Sequence, residues 1–117
     1  MSTQTKALAL AAAILVLAGC SSVSPAGYYW GSHSQTYYAY IAAPSEATLN
    51  AHIAELERIV VQSEERSLKV PPGILAELGF FKSKASADTD AIAYYQREME
   101  LYPESSAFLQ RVIGEHQ

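Results

Sequence analysis

Three histidines, His33, His52 and His116, are the side chains best suited to bind a metal ion or to move a proton. They fall on three different predicted segments, and no His-x-x-x-His or Cys/His pair has the spacing of a metal site. A single histidine on an amphipathic helix, such as His52, is typical of the boundary between the buried and exposed faces. The spacing therefore predicts no metal site.

The other candidates for catalysis are the Ser32-His33-Ser34 run and acidic pairs on a predicted helix. Neighbours in sequence rarely converge in space, and no strained elbow motif surrounds the two serines. The acidic pairs, Glu55 with Glu57 and Glu64 with Glu65, diverge around a helix and are typical of a solvated face. The sequence therefore predicts no catalytic residue, no enzyme activity and no cofactor.

The single cysteine, Cys20, ends a segment with the features of an export signal. Residues 1–6 are polar with one lysine, and residues 7–18 are an unbroken apolar run. This run makes about 18 Å of helix, which is too short for a hydrocarbon core of about 30 Å. The sequence Leu17-Ala18-Gly19-Cys20 resembles the lipobox of bacterial lipoprotein precursors, which implies cleavage after residue 19 and covalent lipid on Cys20. The alternative is an ordinary secretory signal that happens to contain a cysteine.

The residues after the signal peptide of residues 1–19 indicate a membrane anchor with a short tether. More than one acyl chain makes attachment stable without an amphipathic helix. Ser21 follows the cysteine and an aspartate does not, which in lipoproteins of the enterobacterial type implies export to the outer membrane, with the domain facing the periplasm. Residues 20–27 are small and polar, with Pro25 and Gly27, so we interpret them as a lipidated cysteine and a flexible tether.

Charge and cysteine content narrow the possible partners of the mature chain. Removing residues 1–19 takes away Lys6 and no acid, which leaves seven lysines and arginines against twelve acidic residues. Nucleic acid calls for a basic patch, and no cluster of cations is larger than Lys82 with Lys84. Cys20 is the only cysteine, so the chain can form no intramolecular disulfide.

Apolar spacing predicts an all-α fold for residues 28–117. Leu49, Ile53 and Leu56 recur at steps of three and four residues, and no run alternates with the period of a strand. Ser45 can cap the helix that carries them, and Pro71-Pro72-Gly73 ends it. The predicted helices cover about residues 45–67, 72 to 83 or 85, and 90–102, with a last one from about residue 104 or 105. The spacing of residues 34–41 admits a short helix without requiring one.

An aromatic segment precedes these helices. Five tyrosines and one tryptophan lie between residues 28 and 40: Tyr28, Tyr29, Trp30, Tyr37, Tyr38 and Tyr40. Exposed Tyr and Trp are favoured anchors at protein interfaces, because they bury much area at low entropic cost. The same residues can instead fill the open end of a helical array, or lie at the membrane interface beside the anchor. All three interpretations remain open at this point.

The pair of helices at residues 72–105 resembles a tetratricopeptide repeat, whose unit is 34 residues long. Five of eight signature positions match, namely Leu78, Gly79, Ala91, Tyr95 and Pro103. The other three hold Leu75, Lys82 and Glu98, where tryptophan, tyrosine and alanine are usual. One repeat cannot bury both its faces, so the flanking helices or another chain must cover it. A generic helical bundle without repeat ancestry is the alternative.

The whole mature chain resembles a family of small proteobacterial lipoproteins of unknown function. The lipobox carries the resemblance together with short motifs along the domain: Tyr28-Tyr29-Trp30-Gly31-Ser32, Ala47-Thr48-Leu49, His52-Ile53, Pro71-Pro72-Gly73, Ala76-Glu77-Leu78-Gly79 and Leu101-Tyr102-Pro103-Glu104-Ser105. Members are typically found beside a lipoprotein similar to the curli secretion channel and a third lipoprotein. The resemblance implies a shared envelope complex and brings no catalytic residue with it.

These observations lead to one functional expectation and one alternative. We expect an outer-membrane lipoprotein that acts as a scaffold or accessory subunit of an envelope complex, with other lipoproteins as partners. The expected partner-binding residues lie in the aromatic segment and in a groove between helices: Tyr28, Tyr29, Trp30, Leu75, Phe81 and Tyr95. The alternative is a self-contained lipoprotein that binds a small ligand or an envelope component.

Overall fold

Residues 27–115 are described by the structure, a computed structural model, and they contain five α helices and no strand. The helices are α1 (His33–Ala42), α2 (Glu46–Glu65), α3 (Ile74–Lys84), α4 (Asp88–Leu101) and α5 (Ser106–Gly114), with a 3₁₀ turn at Pro103–Ser105. The predicted all-α class is confirmed. The predicted signal peptide, the lipidation site Cys20, most of the tether and His116 lie outside the described residues.

The helix α2 begins where the sequence predicts it. Ser45 is extended, and its side chain accepts a hydrogen bond from the amide of Thr48 at 3.1 Å. The Thr48 hydroxyl accepts one in return from the amide of Ser45 at 3.0 Å. This reciprocal cap satisfies two amides that the first turn of a helix leaves without partners.

None of the described helices is long and apolar enough to cross a membrane.

The helix α3 begins at Ile74 rather than at Pro72, because Gly73 has a φ of +93° and interrupts the helical backbone. Its first turn has no local side-chain cap. Instead, the amide of Gly73 donates a 2.7 Å hydrogen bond to Oε1 of Glu98, on α4. Glu98 is only 3% exposed. A buried carboxylate from the neighbouring helix therefore caps the positive end of α3.

The core is formed by the inner faces of α2, α3 and α4. Eight buried residues make one cluster: Leu56, Ile59, Val60, Val70, Ile74, Leu75, Leu78 and Phe81. A second cluster joins α4 to α5 through Ala91, Tyr95 and Leu109. The α3–α4 pair makes the most extensive contact between helices. The terminal helix α5 packs mainly against α4 and the 3₁₀ turn.

Gly79 permits the close approach of α3 and α4. A Cβ atom at this position would lie 2.5 Å from Cε1 and 2.7 Å from Cδ1 of the Tyr95 ring. Such distances are shorter than any van der Waals contact, so only glycine lets the Tyr95 ring lie this close to α3. Gly79, one of the matched repeat positions, therefore lies against Tyr95, which is another of them. The relation to tetratricopeptide repeats stays a prediction.

The N-terminal segment is attached to α2 by a buried acid. The carboxylate of Glu55 accepts a 2.6 Å hydrogen bond from the amide of Ser32 and is bound by the guanidinium of Arg58 at 2.8 and 2.9 Å. The hydrogen bond from Arg58 is the largest influence that holds the pKa of Glu55 below its usual range. The prediction that Glu55 lies on a solvated face is therefore wrong, because the segment before α1 covers it.

Candidate functional site

Three side chains from three helices converge at one end of the array. Oε1 of Glu77 lies 2.7 Å from Nε2 of His52, and Oε2 lies 2.7 Å from Nε2 of His33. His33 opens α1, His52 lies in the middle of α2 and Glu77 lies in the first turn of α3. One carboxylate therefore joins two imidazoles. We refer to His33, His52 and Glu77 as the His–Glu cluster.

The orientation of His52 is fixed from its other side. Nδ1 of His52 lies 2.8 Å from the hydroxyl oxygen of Thr36, one turn into α1. An ionised carboxylate only accepts hydrogen bonds, so the Nε2 atom that faces Glu77 carries a hydrogen. Because the Thr36 hydroxyl can donate or accept, it can satisfy Nδ1 in either protonation state. Both ring nitrogens of this buried histidine have partners, as burial requires.

Aromatic rings surround the cluster. The ring of Tyr37 stacks on His33 with centroids 6.1 Å apart and planes inclined by 9°. The ring of Phe81 meets His52 edge-on at 5.8 Å. The side chain of His52 is fully buried, whereas those of His33 and Glu77 are 23% and 22% exposed. The cluster is therefore closed to solvent at His52 and accessible to solvent at His33 and Glu77.

An open cleft of about 440 Å³ borders the exposed side of the cluster. The side chains that line it come from α1 and α3 and are mostly aromatic or aliphatic: His33, Tyr37, Tyr40, Ile41, Glu77, Phe80 and Phe81. We refer to it as the aromatic cleft. Its volume lies within the range of about 300–1,000 Å³ that is usual for ligand sites. A ligand or partner side chain in this cleft would contact two members of the cluster.

Residues 28–112 match the model of a family described as a domain of unknown function, DUF4810. The chain belongs to the DUF4810 family. The match covers most of the chain and includes all three residues of the His–Glu cluster and the whole aromatic cleft. No curated protein and no solved structure matches the chain.

The DUF4810 domain has one further arrangement that could suggest nucleophilic catalysis. Thr36, His52 and Glu77 form a chain of hydrogen bonds like that of a hydroxyl nucleophile, a base and an acid. The carbonyl oxygens of Ser32 and His33 both lie 3.2 Å from the Thr36 hydroxyl oxygen. Two such acceptors disfavour negative charge on that oxygen, so Thr36 is better suited to orient His52 than to attack a substrate.

The structure separates the six expected partner-binding residues of the DUF4810 domain into three at the surface or the cleft, two in the core, and Tyr29. Tyr28 and Trp30 are exposed, and Phe81 lines the aromatic cleft although most of its side chain is buried. Leu75 and Tyr95 lie inside the core, where they hold α3 against its neighbours and present no surface to a partner.

The sixth residue, Tyr29, has a structural role in the DUF4810 domain. Its hydroxyl accepts a 2.6 Å hydrogen bond from Arg58, and the guanidinium of Arg66 lies 4.1 Å from its ring centroid. Tyr29 also packs against the core and is only partly exposed. It therefore ties the N-terminal segment to α2.

The His–Glu cluster was not predicted from the sequence, because its two histidines are not spaced as in a local metal-binding motif. The members come from three helices, and no local motif joins residues so far apart in the chain. The prediction that His52 lies at the boundary between the buried and exposed faces of its helix is wrong, because the side chain is fully buried. One signal was available: His52 precedes Leu56 by four residues and Ile59 by seven, so it belongs to the buried stripe of α2. A polar side chain on that stripe requires a partner.

Proposed function

We propose that this chain is a lipid-anchored, non-enzymatic accessory subunit of an envelope complex and that it binds a protein partner through the aromatic cleft. The observation that carries the proposal is the exposure of large apolar side chains at this cleft. Tyr37, Ile41 and Phe80 all line it and are all exposed. Such clustering on one side of a small domain is typical of an interaction surface.

The helix α1 supports the proposal independently. No residue of α1 is buried, although three of its ten residues are tyrosines and one is isoleucine. Burying a large apolar side chain stabilises an assembly by about 1.5–3 kcal/mol. Covering Tyr37, Ile41 and Phe80 together would therefore provide a substantial part of the free energy of binding. The fitting partner presents apolar side chains to this face.

The proposed lipid anchor rests on the resemblance of residues 17–20 to a lipobox. We expect Cys20→Ser to leave the signal peptide uncleaved, because the serine hydroxyl cannot form the thioether. The variant should leave the membrane fraction in a carbonate wash, whereas the matched control Ser22→Ala should remain there. The measurement is immunoblotting of the fractions with comparison of the molecular masses. Membrane retention of Cys20→Ser would contradict lipid anchoring through this residue.

The tetratricopeptide-like interpretation of residues 72–105 belongs to the same proposal. Two antiparallel helices in close contact at Gly79, followed by Pro103 after the second helix, support it. Glu98, where the repeat usually has alanine, turns toward the start of α3 instead of toward a following repeat. The unit would thus be a single divergent repeat closed by α2 and α5, and its helices would present the cleft to the partner.

A pull-down tests the partner-binding role. The tagged full-length lipoprotein is recovered from detergent-solubilised outer membranes, and proteins that co-purify are identified by mass spectrometry. We expect stoichiometric recovery of another envelope lipoprotein, and the resemblance to the lipoprotein family makes one similar to the curli secretion channel the candidate. Recovery of this chain alone would contradict the accessory-subunit role.

Two surface variants test whether the aromatic cleft binds the partner. Phe80→Ser should reduce recovery of the partner at least about tenfold, since loss of one buried aromatic anchor typically costs more than about 1.4 kcal/mol. Phe108→Ser is the matched control, because Phe108 is 64% exposed on α5, against 48% for Phe80, and does not line the cleft. Equal recovery with both variants would place the interface elsewhere.

The volume of the aromatic cleft favours one second candidate function, the binding of a small ligand by a self-contained lipoprotein. About 440 Å³ of mostly apolar space with His33 and Glu77 at its edge fits a small molecule with an apolar body and a polar end. If the pull-down recovers this chain alone, the ligand-binding role becomes the better proposal. Mass spectrometry of small molecules extracted from the purified protein would then identify the ligand.

A further inference from the structure

We infer that His33, His52 and Glu77 form a binding site for a divalent transition-metal ion of the Zn²⁺ type. The inference is independent of the accessory-subunit role. It departs from the sequence-based expectation that the chain binds no metal, which rested on spacing along the chain alone. Two imidazole nitrogens and one carboxylate oxygen are a ligand set that zinc sites with an open position commonly use.

The ligand atoms are already assembled. One atom from each residue can be chosen so that all lie within 4.8 Å of one another. Ligands at about 2.0–2.2 Å from a tetrahedral ion lie about 3.3–3.6 Å apart, so the contact with the ligating oxygen of Glu77 must open by roughly half an ångström or more, and the widest separation must close by up to about 1.4 Å. The side chains of His33 and Glu77 can make this adjustment, because both are partly exposed.

Metal binding requires the ring hydrogen of His52 to move from Nε2 to Nδ1, and the hydrogen bonds around this histidine permit the move. A metal ion takes the lone pair of Nε2, so a neutral imidazole must carry its hydrogen on Nδ1. In His52, Nδ1 faces the Thr36 hydroxyl at 2.8 Å, and that oxygen can accept the hydrogen. The Thr36 hydroxyl can then donate to the carbonyl of Ser32 or His33. This is the outer hydrogen bond that commonly fixes the tautomer of a metal-binding histidine.

The surroundings match a site with an open coordination position. The rings of Tyr37 and Phe81 pack against His52, which is fully buried, and the aromatic cleft leaves the side of His33 and Glu77 accessible. Three protein ligands leave one tetrahedral position for water or for a donor group of a ligand in the cleft. A cluster that only joined α1, α2 and α3 through hydrogen bonds would need no such opening. In solution, a metal site should bind Zn²⁺, whereas a cluster that only joins the helices should not.

The test is calorimetric titration of Zn²⁺ into the full-length lipoprotein in detergent, after chelator treatment and removal of the chelator. We expect one Zn²⁺ per chain. His33→Asn should weaken binding more than about 100-fold by removing a ligand, and Thr36→Val should weaken it about 10–100-fold by releasing the outer hydrogen bond. The remaining histidine supplies the matched control, His116→Asn, which should bind as the unmodified chain does.

A spectroscopic measurement keeps the inference falsifiable if a variant folds poorly. Co²⁺ at the site should give visible absorption typical of four-coordinate nitrogen and oxygen ligands, and Zn²⁺ should abolish it. The helical circular dichroism of each variant establishes that it is folded. Absence of stoichiometric Zn²⁺ binding at about 100 µM free metal, or equal losses in His33→Asn and His116→Asn, would overturn the inference.

Discussion

Leucine in place of Gly79 is expected to lower the free energy of unfolding by about 3 kcal/mol, at the upper end of the usual cost of overpacking. The added Cβ would lie 2.5–3.0 Å from three atoms of the Tyr95 ring. That ring is buried between α3 and α5, so it cannot turn aside without displacing Leu109 and its neighbours. Relief of the clash therefore requires α3 and α4 to separate, which exposes core surface on both helices.

Thermal or denaturant unfolding of purified protein measures this effect. For a domain of this size, about 3 kcal/mol corresponds to a fall in melting temperature of more than about 10 °C. Gly114→Leu is the matched control, since a Cβ there has no neighbour within 4 Å. It should change stability by less than about 0.5 kcal/mol. Equal melting temperatures for the two variants would show that α3 and α4 do not meet closely at Gly79.

Removal of the buried carboxylate of Glu98 is the second change with a large expected effect. Glu98→Ala should lower the free energy of unfolding by about 2–3 kcal/mol. It leaves the amide of Gly73 without its 2.7 Å partner and removes negative charge from the positive end of α3. The cost exceeds that of losing an ordinary helix cap, because Glu98 is only 3% exposed and its truncation also leaves a cavity beside α3.

Two variants on the same helix make this measurement specific. Glu100→Ala changes an exposed acid two residues away and should cost less than about 0.5 kcal/mol. Glu98→Gln retains an oxygen that can accept from Gly73 and should therefore be less destabilising than Glu98→Ala. If Glu98→Ala unfolds at the same denaturant concentration as Glu100→Ala, the carboxylate does not stabilise the start of α3.

Local sequence signals were sufficient to predict the helices. Ser45 and Thr48 form a cap from residues three apart, and the Pro71-Pro72 pair restricts the backbone of its own neighbours. Pro103 similarly limits the helix before it, which ends at Leu101. These effects act within one turn, so a single sequence contains all that is needed to recognise them. The all-α class followed from the apolar spacing, and these signals located the ends of the helices.

Burial of polar residues could not be predicted in the same way. Glu55 and Glu98 each look like surface residues of a helix, and each is covered by a segment at least 23 residues away in the chain. The partner, not the residue itself, makes burial favourable, and partners at such distances leave no periodic signal. The same limit applies to Leu75, whose apolar side chain fits a surface groove and a core equally well until the packing is known.

Helix α1 is the part of the domain that we expect to unfold locally. This helix packs on α2 without burying any of its residues, and its polar ties are His33 to Glu77 and Thr36 to His52. Cooperative units with few buried apolar contacts unfold locally at low free energy, so α1 can detach while the core stays folded. Its amides should exchange with solvent first. Because the segment before α1 is itself held on α2 through Glu55 and Tyr29, a pull from the N-terminal end would load those contacts before it reached α1.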